Sequence, residues 1–115
     1  MSTAPLKQID GDNWRDFLED GTSVLVLTRS DCDACDTYTE ELEEFLDEGD
    51  RSSELEVGKM IVDEGGLADF KRDQDWVADV RNLPYTAIYV DGSLEKSFPG
   101  TGIDRLERRL DRLDR

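Results

Sequence analysis

The chain has 115 residues and a formal net charge of −15, with 29 acidic residues against 14 basic ones and no histidine. This length is typical of one domain, so we expect a single domain over residues 1–115. Without histidine, the sequence excludes a Ser–His–Asp triad, a histidine general base and a zinc finger with two histidine ligands. The strong negative charge disfavours nucleic-acid binding, because phosphate groups would be repelled.

Composition also bears on location. No apolar run approaches the roughly 18–20 residues that a membrane span requires, and residues 1–8 lack the features of a secretion signal. We therefore expect a cytoplasmic protein that binds no membrane. An Asp-rich composition with only four lysines among the 14 bases is typical of proteins from salt-loving archaea, where molar salt screens self-repulsion. We expect such a halophilic origin, with an acidic protein from an ordinary environment as the alternative.

The first half of the chain is predicted to alternate helix and strand. A short helix is expected over residues 12–21, where Trp14, Phe17 and Leu18 share one face. The nearly unbroken apolar run at 23–28 is typical of a strand that is buried on both faces of a sheet. A second helix is predicted over 36–48. Its apolar side chains recur at helical spacing and are Cys35, Tyr38, Leu42, Phe45 and Leu46, with Gly49 closing it.

The second half is predicted to contain a strand at 57–62, one helix or two short ones over 67–80, and a hairpin at 86–98. Asp91-Gly92 is typical of the tight turn in such a hairpin. A final amphipathic helix is indicated by Ile103, Leu106, Leu110 and Leu113. The early alternation predicts parallel strands joined by helices, and the hairpin adds antiparallel strands. We therefore predict an α/β fold with a mixed sheet of four or five strands.

The sharpest chemical signal is the motif Cys32-Asp33-Ala34-Cys35, which lies between the buried strand and the second helix. Unpaired N–H groups and the positive dipole end at the start of a helix favour a thiolate. The spacing places the two sulfurs close enough to form a disulfide with little backbone movement. A dithiol of this kind can perform disulfide exchange, in which one thiolate attacks and the other resolves.

Three other interpretations of the cysteines remain open. They could supply half of a zinc site, but without histidine or further cysteine such a site would need four thiolates shared across a dimer, or carboxylate ligands in addition to the two thiolates. They could form a structural disulfide, although a bridge this short constrains the unfolded chain very little. They could also be small buried apolar residues, which suits Cys35 better than Cys32. Separately, Pro84 precedes a predicted strand, where a proline that starts the strand is the simplest interpretation.

The order of these elements, the CxxC motif at the start of a helix, and the segments 59–63 and 83–92 resemble the thioredoxin family. Gly100 and the terminal helix fit the same pattern, and the resemblance covers roughly residues 9–113. It implies a thioredoxin fold with a central mixed sheet flanked by helices.

The resemblance also implies roles for individual residues. Cys32 would be the exposed nucleophile and Cys35 the buried resolving thiol. Pro84 would follow a cis peptide bond and face the cysteine pair, and the backbone of Leu83 would pair with an extended substrate segment. Gly100 would line the same groove.

Several positions depart from the family pattern. Asp31, Asp33 and Asp36 surround the cysteines, and the family's tryptophan before the motif is missing. Val26 occupies the position of the family's buried aspartate, and Glu40 that of its helix-kinking proline. The three aspartates oppose ionisation of the Cys32 thiol, whereas the helix terminus favours it.

The function implied by the resemblance is that of a monomeric thiol-disulfide oxidoreductase. It would reduce protein disulfides, take electrons from a reductase of the thioredoxin-reductase type, and need no bound cofactor or metal. One alternative is a thioredoxin-fold binding or redox-sensing module, with or without zinc held across a dimer. A second is a glutaredoxin-like reductase, which the residues 28–32 suggest.

Overall fold

The structure is a computed structural model. It describes residues 6–19, 21–48, 55–63, 65–80, 82–100, 104–106 and 108–109, with the side chains of residues 46–48 and 55 left aside.

A five-stranded mixed sheet forms the centre of the molecule. Its strands are β1 (Lys7–Ile9), β2 (Thr22–Thr28), β3 (Leu55–Ile61), β4 (Tyr85–Val90) and β5 (Ser93–Pro99). Their spatial order is β1-β3-β2-β4-β5. The first three strands in that order run parallel, and β4 and β5 are antiparallel to their neighbours. The predicted mixed sheet is therefore confirmed, with β2 at its centre.

The helices lie between the strands along the chain. They are α1 (Trp14–Glu19), α2 (Asp33–Glu48), α3 (Ala68–Asp73) and a 3-10 helix at Asp75–Asp79. A further helix, α4, is described at 104–106 and 108–109. Helix α2 begins three residues before its predicted start, so Cys35 lies inside its first turn. Of the two alternatives for 67–80, the structure has two short helices.

Strand β2 is buried on both faces, as its apolar run predicts. Alternate residues of a strand point to opposite sides of the sheet, so β2 contributes to two separate clusters. On the α2 face it supplies Val24 and Val26, which pack with side chains of α2 and α4. On the α1/α3 face it supplies Leu25 and Leu27, which pack with side chains of α1 and α3.

Two further features bear on the predictions. The hairpin turn is confirmed, because Asp91 and Gly92 have φ angles of 51° and 89°, as a tight turn between twisted strands requires. Strand β1 was not predicted: it has three residues, of which only Ile9 is buried, so it shows no periodicity to detect.

The predicted terminal helix is described only in part. Leu106 is fully buried in the α2 face, as predicted. Ile103, Leu110 and Leu113 lie outside the described residues, as does Gly49, the predicted end of the second helix. Within the described part of the chain, no helix has the length and apolar character that a membrane crossing would need.

Candidate active site

Cys32 and Cys35 form a disulfide at the junction between β2 and α2, with their Cα atoms 5.2 Å apart. Cys35 is 1% exposed, whereas Cys32 is half-buried. The accessible sulfur therefore belongs to Cys32 and the enclosed one to Cys35. This is the arrangement expected of an attacking and a resolving cysteine.

The start of α2 gives Cys32 a hydrogen-bond donor. The backbone N–H of Cys35 donates to the Cys32 Sγ at 3.1 Å, and the N–H of Asp36 donates to the Cys32 carbonyl at 3.1 Å. Cys32 therefore occupies the position before the helix, where N–H groups without intrahelical partners converge. When the disulfide is reduced, the same donor can stabilise a thiolate on Cys32.

The aspartates around the cysteines disfavour a thiolate on Cys32, whereas the start of α2 favours it. Asp33 and Asp36 lie in the first turn of α2, and both are exposed. Asp31 is also exposed, and its Oδ1 lies 3.6 Å from the Arg29 Nε. Since negative charges close to a thiol disfavour the thiolate, the site combines a favourable helix terminus with unfavourable neighbours. Salt weakens the long-range part of the second effect more than the direct hydrogen bond.

The alkylation rate of Cys32 in the reduced protein is therefore expected to increase with ionic strength. We expect an increase of about threefold between dilute buffer and molar potassium chloride, because the Debye length shortens to about 3 Å. The variant Asp33→Asn/Asp36→Asn should react faster in dilute buffer and show little salt dependence. The control is Asp16→Asn/Asp104→Asn, which removes the same charge from α1 and α4. A rate in the wild type that does not change with salt would contradict this prediction.

The residues predicted to bind substrate lie at the same end of the sheet. The Leu83–Pro84 peptide bond is cis, and the Pro84 carbonyl accepts the N–H of Gly100 at 2.8 Å. Tyr85, the first residue of β4, pairs with Leu27 near the end of β2. The topology therefore brings Leu83, Pro84 and Gly100 to the edge where β2 leads into the cysteine motif.

A buried pair of hydroxyl groups, which the sequence did not reveal, connects the helix that carries Cys35 to the strand that follows Pro84. The Tyr38 Oη lies 3.0 Å from the Thr86 Oγ1, and both side chains have no exposed surface. Tyr38 is one helical turn after Cys35, and Thr86 is two residues after Pro84. Burial raises the pKa of the Tyr38 hydroxyl, partly offset by the hydrogen bond to Thr86. The sequence offered one sign of this hydrogen bond, a tyrosine at a predicted core position, and such a residue indicates packing but not a hydrogen-bond partner.

This pair is expected to stabilise the folded protein through a specific coupling. Tyr38→Phe should lower the free energy of unfolding by about 1 kcal/mol, because it removes a buried hydrogen bond and leaves the Thr86 hydroxyl without it. In a double-mutant cycle with Thr86→Val, the two losses should not add, since both remove the same bond. Denaturant unfolding of the four proteins measures the coupling. Strictly additive effects would show that the bond contributes nothing.

Two hydrogen bonds from Ser30 to Asp63 fix the loop between β2 and α2. The backbone N–H of Ser30 donates to Asp63 Oδ1 at 3.2 Å, and its hydroxyl donates to Oδ2 at 2.6 Å. The hydroxyl hydrogen bond is the main reason why the pKa of the Asp63 carboxyl is lowered. Asp63 is two residues after the end of β3, so the parallel β2–β3 pair fixes the segment that leads to Cys32.

The interior beside the cysteines is apolar where the family pattern has an acid. Val26 is fully buried on the α2 face, and its neighbours across the sheet are Lys59 on β3 and Thr86 on β4. Lys59 is half-buried. Proton transfer to or from Cys35 therefore cannot use a carboxylate at position 26.

Among the described residues, no group of three or more cysteine and carboxylate side chains comes together in a way that could hold a metal ion. One chain offers two thiolates, so a zinc site made of four thiolates would need a second chain.

The chain is similar to known proteins in structure but not in sequence. No family model matches the sequence, and no curated protein matches it either. Solved structures do match. The thioredoxin of Malassezia sympodialis superposes with a TM-score of 0.78 at 14% identity, over 97% of this chain and 94% of that chain. Thioredoxin f from spinach chloroplast, in its short form, gives a TM-score of 0.78 at 15% identity over 100% of both chains.

Thioredoxin O2 from Arabidopsis thaliana, in the oxidized state, matches with a TM-score of 0.74 at 17% identity, over 96% of this chain and 95% of that chain. The chain therefore has the thioredoxin fold, as the sequence resemblance implied. At this level of identity the structural similarity establishes the fold and does not establish the activity.

Proposed function

We propose that the protein is a thiol-disulfide oxidoreductase that reduces disulfides in other proteins. The observation that carries the proposal is the Cys32–Cys35 disulfide at the start of α2, with one sulfur accessible and the other enclosed. Disulfide exchange by a dithiol requires an attacking thiolate that the substrate can reach and a second thiol close enough to resolve the mixed disulfide. The thioredoxin fold and the nearby cis-proline agree with this assignment.

In the proposed reaction, the Cys32 thiolate attacks one sulfur of the substrate disulfide. A mixed disulfide forms, and the other substrate sulfur leaves as a thiolate that takes a proton from solvent. The Cys35 thiolate then attacks the Cys32 Sγ, which releases the second substrate sulfur and forms the Cys32–Cys35 disulfide. The substrate gains two electrons, which the cysteine pair loses, and two protons, of which one comes from the Cys35 thiol and one from solvent.

The second step needs a proton to leave the enclosed Cys35 thiol. Because Val26 offers no carboxylate, we propose that this proton passes to the second substrate sulfur as that sulfur is released, either directly or through solvent. The backbone of Leu83 pairs with an extended substrate segment, and Pro84 and Gly100 line the groove that receives it. A reductase of the thioredoxin-reductase type restores the dithiol, and the reaction uses no bound cofactor.

Cellular context sets the direction of the reaction. In a cytoplasm, where thiols are kept reduced, a dithiol of this kind acts as a reductant. We propose this location and a monomeric state.

The proposal is tested by catalysed reduction of a peptide disulfide with excess dithiothreitol as the electron source. The wild-type protein should increase the rate in proportion to its concentration, and a protein alkylated at both cysteines should not. The other interpretations give different results. Zinc at half an equivalent per chain with a dimeric mass would support the zinc-holding module, and reduction that depends on glutathione would support the glutaredoxin-like reductase.

A further inference from the structure

A cavity of about 410 Å³ opens beside Leu83, on the α1/α3 face of the sheet. Its apolar wall includes Val62, Val77, Val80 and Leu83, and its charged groups are Arg29 and Lys71. A volume of this size lies within the range of about 300–1,000 Å³ that is typical of ligand pockets. None of these cavity residues is used in the reaction proposed above except Leu83.

The charge of the cavity is opposite to that of the protein. The chain carries 29 acidic residues against 14 basic ones, yet among the described residues the lining contains two cations and no carboxylate. An apolar wall with two cations suits a group that has an apolar body and one negative charge.

Both cations retain capacity for a ligand. Among the described residues, the Lys71 Nζ donates one hydrogen bond, to the Val62 carbonyl at 3.1 Å, and an ammonium group has three donors in all. The Arg29 guanidinium lies near Asp31 in an exposed ion pair of the kind that contributes little. Asp63 also lies near Arg29, but its carboxylate accepts two hydrogen bonds from Ser30.

We infer that this cavity is a specificity subsite that takes an apolar side chain of the disulfide substrate together with a carboxylate next to it in the sequence. The inference rests on the proposed function. Its position supports it, because Leu83 belongs both to the cavity and to the predicted substrate groove. Leu27 and Arg29, which also line the cavity, lie at the end of β2 and on the segment that leads from it to Cys32, so the cavity and the cysteine motif are at the same end of the sheet.

The acidic residues around the cysteines further restrict which substrate sequences are favoured. Asp31, Asp33 and Asp36 are exposed beside the disulfide and repel a carboxylate there. The favoured substrate therefore carries its negative charge away from its own disulfide, beside the apolar residue that enters the cavity. Neutral or basic residues directly flank the disulfide.

Three disulfide peptides that differ at one position test this inference. Each contains a leucine a few residues from the disulfide, followed by glutamate, glutamine or lysine. In low salt, the wild-type protein should reduce the glutamate peptide with a kcat/KM about tenfold above that of the glutamine peptide, as expected for a charge-assisted hydrogen bond. The lysine peptide should be the poorest substrate.

The variant Arg29→Gln/Lys71→Gln should lose this preference, so that the glutamate and glutamine peptides have nearly equal kcat/KM. Its matched control is Arg72→Gln/Lys96→Gln, which removes the same total charge outside the cavity and should retain the preference. If the double variant does not fold, Arg29→Gln alone serves, because Arg29 is exposed. Retention of the preference in a folded cavity variant would overturn the inference.

A second variant tests the apolar part. Ala78 lines the cavity from the exposed side of the 3-10 helix, and Ala78→Trp should fill it. This variant should reduce the leucine peptide no better than a peptide with alanine in its place, whereas the wild type prefers leucine. Equal rates of the wild type on all peptides would overturn the inference and leave the proposed function intact. Failure to reduce any peptide would refute the proposed function itself.

Discussion

Cys32→Ser is expected to abolish disulfide reduction, with a loss of at least about a thousandfold, as for removal of any catalytic nucleophile. Cys35→Ser is expected to behave differently. The accessible thiol of Cys32 still attacks the substrate, but no second thiol resolves the product, so the protein accumulates as a mixed disulfide. The difference in exposure between the two sulfurs is the basis for this asymmetry.

Intact-protein mass spectrometry under non-reducing conditions measures this difference. The Cys35→Ser variant should gain the mass of one substrate chain and release it on addition of dithiothreitol, and the Cys32→Ser variant should gain nothing. The opposite result, with the adduct on Cys35, would reverse the assigned roles. An absence of adduct in both variants would argue against exchange chemistry at this site.

Leu42→Ala is expected to lower the free energy of unfolding by about 3 kcal/mol, because a leucine side chain leaves a cavity when it is truncated in a packed core. Leu42 has no exposed surface and lies on the buried side of α2, two turns after Cys35. Loss of its contacts weakens the packing that holds α2 and the cysteine motif against the sheet.

Leu94→Ala is the matched control, because it makes the same chemical change at a residue that is 38% exposed on β5. It should cost less than about 0.5 kcal/mol, as is usual for surface substitutions. Denaturant unfolding in the same salt measures both variants. Equal losses would contradict the assignment of the core on the α2 face.

The parts of the fold with strong local signals could be predicted from the sequence. The apolar run of β2 is long enough to indicate a strand buried on both faces, and Asp91-Gly92 specifies the turn of the β4–β5 hairpin through backbone conformation alone. Strand β1 could not be found in this way. It forms because β3 offers a parallel partner for Lys7–Ile9, and a contact so distant in sequence leaves no local pattern.

The site was predicted to a similar extent. The cysteine motif and its position before a helix are local, and the resemblance added the cis bond before Pro84 and the position of Gly100. The Tyr38–Thr86 hydrogen bond joins residues 48 positions apart, so no spacing rule indicates it. The cavity with Arg29 was equally hidden, because its side chains come from the end of β2, the end of β3, α3 and residues 77–83.

Predictions about the environment of the protein remain predictions. The halophilic origin and the cytoplasmic location are inferred from composition. The salt dependence of Cys32 alkylation tests whether molar salt screens the acidic residues around the cysteines.

The central claim is that Cys32 and Cys35 cycle between dithiol and disulfide, and an equilibrium redox titration in molar potassium chloride tests it most directly. Alkylation of free thiols followed by mass measurement counts the reduced cysteines at each potential. The account predicts a single two-electron transition between about −180 and −300 mV, the range of known exchange proteins. Thiols that never pair, or that pair only after zinc is removed by a chelator, would contradict it.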